Sequence, residues 1–323
     1  MVTSSTGVFK ESSVRVLVTG ANGFIGRSLC SALTSSAIPF NRCVRRADGF
    51  AGSFVVGDID DSTDWRMPLE GCDAVVHLAG RAHQLGDRVA DPLDAFRRVN
   101  VQGSLALFSQ AAAQGVKRFV YVSSVGVNGN HTSVPFTEAD MPAPCEPYAL
   151  SKLEAEIGLK RLAEETCLEL VIIRPPLVYG PDAPGNFGRL LDWVRRGIPL
   201  PLGAVHNRRS MVSLGNLVDF IQVCTRNEAA AGQVFLVSDG EDISTTELLR
   251  SVARLMHQPA RLIPVPASWL EAALIALGAR AAARRLCGDL QIDISKARAL
   301  LSWSPPWSVI EGLTVAVGRQ GQK

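Results

Sequence analysis

A tyrosine and a lysine four residues apart, Tyr148 and Lys152, are the side chains whose spacing most strongly suggests chemistry. On a helix, residues i and i+4 lie on one face, so the phenol and the ammonium group can address the same reacting atom. A free phenol has a pKa of about 10, and a cation held beside it favours the phenolate. The pair therefore predicts a tyrosine that exchanges a proton near neutral pH. The alternative is an ordinary amphipathic helix that carries both side chains on its surface.

Two hydroxyl groups follow a predicted strand at residues 118–122. Ligands of parallel sheets bind beyond the carboxyl ends of the strands, where Ser123 and Ser124 stand. Either hydroxyl is therefore placed to bond a substrate oxygen. The alternative is a turn serine that caps local backbone.

A glycine turn joins an apolar run at residues 16–18 to a predicted helix at residues 24–35. Its spacing is Gly-x-x-Gly-x-x-Gly. Gly20 permits the tight turn, Gly23 lets the backbone approach a pyrophosphate, and Gly26 lets the helix pack close to the strand. Free N–H groups and the positive end of the helix dipole then face the phosphates. This context predicts a dinucleotide-binding loop.

The elements that must position these residues alternate along the first half of the chain. We expect strands at residues 40–44, 53–56, 74–78, 118–122 and 169–173, and helices at 94–114 and 148–165. This alternation predicts an α/β fold with a Rossmann-type doubly wound parallel sheet. Prolines and glycines crowd residues 175–203, so we divide the chain there. The predicted parts are a polar extension at 1–13, a dinucleotide-binding domain at 14–175 and a smaller, mainly substrate-binding α/β domain at 176–323.

The composition is that of an ordinary soluble globular protein. Hydrophobic residues make up 47% of the 323 residues and charged residues 20%, and the net charge of +2 favours neither nucleic acid nor an anionic membrane surface as a partner. Seven cysteines without a Cys-x-x-Cys pair predict buried free thiols in a reducing compartment, and five scattered histidines predict no metal site.

Two segments bear on the location of the protein. Residues 1–12 contain no apolar core of a signal peptide, so we expect a cytoplasmic protein. The most membrane-like segment, residues 269–286, contains Glu271 and three arginines. These charges predict an amphipathic helix and no membrane insertion.

The glycine loop, Ser124 and the pair Tyr148-x-x-x-Lys152 together resemble the extended short-chain dehydrogenase/reductase superfamily, in particular its NAD(P)-dependent sugar-nucleotide epimerase/dehydratase family. The resemblance covers nearly the whole chain after Ser13. It implies a homodimer in which one domain binds NAD or NADP and the smaller domain binds a nucleoside-diphosphate sugar such as a UDP-sugar. It also implies that Ser124 holds the C4 oxygen of the sugar, that Tyr148 exchanges its proton, and that Lys152 binds the nicotinamide ribose.

The same resemblance implies further contacts, position by position. The implied cofactor-binding residues, with the glycine loop included, are Gly20, Asn22, Gly23, Phe24, Ile25, Gly26, Asp58, Ile59, Leu78, Ala79, Gly80, Asn100, Val122, Tyr148, Lys152 and Pro175. The implied substrate-binding residues are Ser124, Leu177, Asn186 and Arg209. An arginine suits a phosphate because its donors form a fork. The alternative is that Asp58, Asn186 and Arg209 are ordinary loop or surface residues.

Three departures narrow the predicted reaction. Val125 and Gly126 stand where the 4,6-dehydratases of the family have an Asp-Glu pair, which argues against a dehydratase. Arg45 and Arg46 follow the second strand with no acid before Asp48. Arginine there accommodates the 2′-phosphate of NADP, although two solvated arginines would look the same. The run at 175–181 departs from the 4-epimerase pattern and is similar to a bacterial branch that reduces UDP-4-keto-6-deoxy-N-acetylhexosamines.

The sequence therefore favours an enzyme that moves hydride at C4 of a UDP-hexose or UDP-N-acetylhexosamine, in the synthesis of lipopolysaccharide O-antigen precursors. Net 4-keto reduction with NADP(H) is favoured over 4-epimerisation with NAD. Two alternatives stay open: a non-catalytic dinucleotide-binding sensor and a reductase of carbonyl compounds without a nucleotide. No nucleic acid is expected as a partner.

Overall fold

The structure is a computed structural model that describes residues 14–82 and 91–318. Its strands are Val16–Thr19 (β1), Phe40–Val44 (β2), Ser53–Val55 (β3), Ala74–His77 (β4), Arg118–Val122 (β5), Glu169–Arg174 (β6), Leu177–Tyr179 (β7), Arg209–Ser213 (β8), Val234–Leu236 (β9) and Asp242–Ile243 (β10). Its α-helices are Phe24–Ser35 (α1), Arg66–Leu69 (α2), Pro92–Phe96 (α3), Gly103–Ala113 (α4), Pro147–Glu164 (α5), Asn186–Arg195 (α6), Leu214–Arg226 (α7), Thr245–Leu255 (α8), Ala267–Ala276 (α9), Arg280–Cys287 (α10), Ser295–Leu301 (α11) and Val309–Gly318 (α12).

Seven strands form one parallel sheet in the order β3-β2-β1-β4-β5-β6-β9. The strand order reverses beside β1, which pairs with β2 on one side and with β4 on the other. Ligands bind at such a switch point, beyond the carboxyl ends of the strands. The predicted Rossmann-type fold is confirmed, and the first six strands of this sheet lie within one residue of the predicted ranges.

Each face of the sheet has its own core, because successive side chains of a strand point to opposite faces. Val16 and Val18 of β1 pack in the same core as helices α1 and α7, whereas Leu17 packs on the other face with α4 and α5. This two-sided cover explains why β1 is apolar at every position of its run.

The predicted long helix at 94–114 is helical but not uniform. A π-helical segment, Arg97–Gln102, joins α3 to α4 and contains the buried residue Asn100. A π-helical turn inside an α-helix is frequent at functional sites.

The second part of the chain surrounds a separate apolar core and a small sheet. The small sheet has the order β10-β8-β7, and α6, α8 and α12 pack over the core that includes Phe187, Leu249 and Leu313. The main sheet does not end at residue 176, however. Strand β9 returns to pair with β6, and α7 packs beside α1. The division at Pro176 therefore separates the two predicted domains only in part, because β9 and α7 of the later part belong to the main sheet and its cover.

Two expectations about single segments are corrected. The predicted helix at 269–286 is broken: Gly278 has φ +74°, a conformation that ends a helix readily, and it separates α9 from α10. The seven cysteines are free, as predicted, but Cys145 and Cys167 are exposed rather than buried. Within the described ranges, no helix is both long and apolar enough to cross a bilayer.

Candidate active site

The glycine loop lies at the carboxyl end of β1 and fits a dinucleotide pyrophosphate. Gly20 has φ +65°, and a Cβ there would lie only 2.9 Å from the Ala79 nitrogen. A Cβ on Gly26 would overlap the Gly20 carbonyl oxygen. Gly23 is the N-cap of α1 and provides no side-chain acceptor for the first N–H groups of that helix. These N–H groups are therefore the donors that would hold the phosphates of a bound NAD or NADP.

A buried hydrogen-bond network connects this loop to the helix on the opposite face. His77 Nδ1 lies 2.7 Å from Thr19 Oγ1, and His77 Nε2 lies 2.9 Å from Ser104 Oγ. Ser104 Oγ donates to the Asn100 carbonyl at 2.7 Å, so we assign the proton of the imidazole to Nε2. Burial, and to a smaller extent the charge of Lys152, lower the pKa of His77 to about 3, so the ring is neutral.

Thr19 and His77 were not predicted as site residues, although their role is visible in the geometry. Thr19 Oγ1 accepts the backbone N–H groups of Leu78 and Ala79, both at 3.2 Å. The network thereby holds the end of β4 against the glycine loop. A histidine ending the apolar strand Ala74–His77 was the signal in the sequence.

Asn100 is predicted to contact the cofactor, but its side chain bonds to the protein. Its Oδ1 accepts the Arg81 N–H at 2.8 Å, and its Nδ2 donates to the Arg81 carbonyl and to Ser151 Oγ, both at 3.0 Å. A Cβ on Gly80 would lie 3.1 Å from Asn100 Oδ1 and 3.6 Å from Lys152 Nζ. Asn100 thus joins the end of β4 to α5 beside Lys152.

Tyr148 and Lys152 lie in the first turns of α5, which begins with Pro147 at N1. Lys152 Nζ donates to the Val122 carbonyl at 2.9 Å and lies 4.5 Å from the centre of the Tyr121 ring. Burial lowers the pKa of Lys152 to about 8. Burial also raises the pKa of Tyr148 to about 12, which is opposite to the lowering predicted from the sequence. The physical reason is that the Lys152 ammonium donates to a backbone carbonyl, while desolvation disfavours the phenolate.

The two serines after β5 have different surroundings. Ser124 Oγ accepts the Gly126 N–H at 3.1 Å and caps the short 3₁₀-helix Val125–Val127, and the residue also lines the large cavity described below. Its hydroxyl hydrogen is still available to a substrate oxygen. Ser123 Oγ is buried, with no hydrogen-bond partner among the described residues. The structure therefore separates the two serines that the sequence left equivalent.

A cavity of about 490 Å³ brings the predicted substrate side chains together with Tyr148. Ser124, Tyr148, Leu177, Asn186 and Arg209 all line it. Arg209 also donates to the Gly288 carbonyl at 3.0 Å, and burial lowers its pKa. The predicted substrate residues thus come from both parts of the chain and meet in one place.

Several lining residues were not predicted. Among them are Asn130, Cys145, Glu146, Trp193, Arg285 and Leu286. Arg285 of α10 donates to Glu146, the residue before α5, at 2.6 Å. This ion pair connects α10 to the start of α5. It pairs residues 139 positions apart, so no local pattern could reveal it.

A second ion pair fixes the other side of α5. Glu156, which is buried, accepts from the buried Arg174 of β6, with 2.6 Å between Oε2 and Nη2. Arg174 Nη1 also donates to Asn128 Oδ1 at 3.0 Å. The pair therefore holds α5, β6 and the segment after Ser124 in one arrangement.

The remaining predicted cofactor residues divide into exposed and packed groups. Arg45, at the end of β2, forms an ion pair with Asp58, and both side chains are more than half exposed. Arg46 and Asn22 are exposed. Asp48 is held by Arg42 at 3.0 Å, so it does not provide a free acid at the end of β2.

The residues of the packed group make apolar contacts or backbone hydrogen bonds within the protein. Phe24 and Ile25 pack their side chains in two different apolar cores, and Ile59 fits against Gly103 of α4. The Pro175 carbonyl accepts the Val125 N–H at 2.9 Å. Cofactor contact by these residues stays a prediction.

Comparison with known proteins places this geometry in a family. The profile described as "Epimerase: NAD dependent epimerase/dehydratase family" matches residues 16–237. The chain belongs to this family. It is 44% identical over 307 residues to UDP-glucose 4-epimerase of Vibrio cholerae, with 92% of each chain covered. It is 31% identical over 264 residues to N-acetyl-alpha-D-glucosaminyl-diphospho-ditrans,octacis-undecaprenol 4-epimerase of Escherichia coli O157:H7, with 79% of this chain and 77% of that protein covered.

A solved structure shares the fold. The crystal structure of UDP-glucuronic acid 4-epimerase from Bacillus cereus in complex with NAD superposes with a TM-score of 0.78. It is 22% identical, and the match covers 96% of this chain and 100% of that one. The family assignment confirms the predicted resemblance, and this likeness extends over both parts of the chain.

Proposed function

We propose that the protein is a nucleotide-sugar 4-epimerase that acts on a UDP-hexose or UDP-N-acetylhexosamine with NAD. The observation that carries the proposal is the single cavity in which Tyr148 and Ser124 face Leu177, Asn186 and Arg209. The 44% identity to a UDP-glucose 4-epimerase over nearly the whole chain supports the reaction type. The NAD in the related crystal structure supports the cofactor.

We assign the following roles within this proposal. Ser124 donates a hydrogen bond to the C4 oxygen of the sugar, and Tyr148 accepts the proton of that hydroxyl and later returns it. Arg209 bonds the diphosphate through charge-assisted hydrogen bonds. Lys152 contributes a buried positive charge beside the ribose. When bound, an oxidised nicotinamide would supply the two-electron oxidant for C4.

A second candidate, net reduction of a 4-keto sugar with NADPH, is favoured by one observation. Arg45 and Arg46 are exposed at the end of β2, and Asp48 is bonded to Arg42. No free carboxylate at that strand end is therefore available to select the ribose 2′-hydroxyl of NAD. The exposed Arg46 is the residue that we expect to accommodate a 2′-phosphate, because Arg45 is paired with Asp58.

One experiment separates the two candidates. The purified protein is incubated with UDP-glucose or UDP-N-acetylglucosamine without added nicotinamide cofactor, and the products are followed by NMR. Epimerisation predicts the C4 epimer in this mixture, because the cofactor is regenerated in each cycle. Consumption of NADPH only when a 4-keto sugar is supplied, with no C4 epimer in the first mixture, would establish the reductase instead.

A further inference from the structure

The hairpin formed by α9 and α10, residues 267–287, exposes an apolar surface that the cavity chemistry does not require. None of the ten residues of α9 is buried. Trp269 is 73% exposed, Leu277 81% and Ile275 40%. Of this helix, Ala267 and Leu270 pack against the apolar core of the later part of the chain, which includes Phe187. A surface helix normally turns polar side chains outward, so an apolar outer side marks an interaction surface.

The same hairpin is basic. It contains three arginines, Arg280, Arg284 and Arg285, against the single acid Glu271, and its net charge of +2 equals that of the whole chain. Arg280 and Arg284 are exposed and form no ion pair with any residue in the described ranges. The hairpin therefore exposes apolar side chains, including a tryptophan, and also carries two exposed arginines that form no ion pair with a described residue.

We infer that the α9–α10 hairpin docks on the surface of an anionic phospholipid bilayer. Tryptophan and arginine are the residues that favour the boundary between lipid headgroups and acyl chains, and exposed arginines are attracted to anionic headgroups. Neither helix is long enough to span the bilayer, so the hairpin lies on its surface.

A second copy of the chain fits this surface less well. A two-fold interface places the same patch of each copy against itself. Arg280 and Arg284 of one copy would then face the same arginines of the other, and like charges in a closing interface repel. An anionic membrane would bury the apolar side chains and would also attract the two arginines through its negatively charged headgroups.

Docking would place the candidate active site at the membrane surface. Ala282, Arg285 and Leu286 of α10 line the cavity that contains Tyr148. One helix, about 10 Å in diameter, therefore separates the bound sugar from the docked face. Arg285 is engaged with Glu146, so Arg280 and Arg284 are the cations directed to lipid.

The experiment measures binding of the full-length protein to vesicles of phosphatidylcholine, with and without phosphatidylglycerol, by co-sedimentation. Binding is expected only with phosphatidylglycerol and is expected to weaken as salt is added. The double variants Trp269→Ser/Leu277→Ser and Arg280→Glu/Arg284→Glu are each expected to bind at least about tenfold more weakly. Met67→Ser and Lys117→Glu/Lys160→Glu alter exposed residues elsewhere, and they are expected to bind like the natural sequence.

Circular dichroism melting and turnover of a soluble UDP-sugar are measured for every variant, so loss of folding or of the proposed reaction is distinguished from loss of docking. If the serine variant does not fold, the arginine variant and the salt dependence still test the inference. Absence of vesicle binding by the natural sequence, or equal loss in the control variants, overturns it. The other outcome is a dimeric protein that binds no vesicles and whose dimer dissociates when the hairpin is substituted. That result would assign the surface to a second copy and would also overturn the inference.

Discussion

At the level of single residues, burial shifts the pKa values of Tyr148 and Lys152 in opposite directions. It raises the pKa of Tyr148 to about 12 and lowers that of Lys152 to about 8, so both side chains are pushed toward their neutral forms. The protein thus holds a protonated phenol at Tyr148 and, one helical turn along α5, an ammonium group at Lys152 whose pKa is about 8. If Tyr148 exchanges a proton, as proposed, we expect the positive charge of a bound ligand to be needed to stabilise its phenolate in this desolvated position.

The first prediction concerns the phenol itself. Tyr148→Phe is expected to lower kcat by about 10²- to 10⁴-fold, because the proton acceptor is lost while the ring remains. Binding of NAD, measured by titration, is expected to persist. Tyr121→Phe is the matched control: Tyr121 is buried and its hydroxyl has no hydrogen-bond partner among the described residues, so its removal is expected to leave stability unchanged or slightly raised. Equal kcat for Tyr148→Phe and the natural sequence would remove Tyr148 from the mechanism.

The second prediction follows from the lowered pKa of Lys152. In the unfolded chain the lysine releases its proton near its ordinary value of 10.5, and in the folded protein near 8. Between these pH values the unfolded state binds more protons, so the free energy of unfolding rises with pH. Measured against Lys152→Met by urea unfolding, the natural sequence is expected to gain on the order of 3 kcal/mol between pH 8 and pH 10.5.

Lys160→Met controls for the loss of a lysine from an exposed position of the same helix. Below pH 8 both states of the natural protein carry the Lys152 charge, so the difference from Lys152→Met is expected to be constant there. A difference that stays constant through pH 10.5 would show that burial does not perturb this lysine.

At the level of elements, the position of α5 depends on a buried ion pair. Glu156 and Arg174 are 1% and 4% exposed at their side chains, and they join the helix to β6. Replacing buried ion pairs entirely is often neutral, but removing one partner leaves an uncompensated charge in the interior. We therefore expect a large loss of stability when only one partner of the pair is removed.

The third prediction is that Glu156→Gln lowers the free energy of unfolding by about 3 kcal/mol or more, because Arg174 loses its countercharge. Urea unfolding at neutral pH measures this. The exposed pair Arg161–Glu165 on the same helix provides the control, and Glu165→Gln is expected to change stability by less than about 0.5 kcal/mol. Similar losses from both substitutions would mean that the buried carboxylate contributes no more than a surface one.

At the level of the whole molecule, the candidate site exists only because the two parts of the chain meet. Ser124 and Tyr148 come from the Rossmann-type part, and Arg209 comes from β8 of the small sheet. The main sheet itself includes β9 from the later part of the chain. Substrate binding and folding of both parts are therefore connected.

The fourth prediction tests this meeting point. Arg209→Ala is expected to raise KM for a UDP-sugar about 10- to 100-fold with a smaller effect on kcat, because hydrogen bonds to the charged diphosphate are lost far from C4. The neighbouring Arg208 is exposed and does not line the cavity, so Arg208→Ala is expected to keep KM unchanged. An unchanged KM for Arg209→Ala would favour the alternative of a carbonyl substrate without a nucleotide.

The net charge of the whole chain does not describe how charge is distributed over the surface. A net charge of +2 over 323 residues argued against an anionic surface as a partner. The hairpin of α9 and α10 carries Arg280 and Arg284 together with the exposed Trp269 and Leu277, so one short segment has the positive charge that the total does not show. Predictions from net charge apply to the molecule as a whole, whereas docking depends on neighbours in space.

The sequence by itself determined the features whose physics is local. Strand β1, the glycine turn and helix α1 follow from a few adjacent residues, and the i, i+4 spacing already placed Tyr148 and Lys152 on one helix face. The tertiary structure alone decided contacts between distant positions, such as Glu146 with Arg285 and Glu156 with Arg174. It also decided the direction of the pKa shift of Tyr148, because desolvation depends on everything that packs around a group and not on its neighbours along the chain.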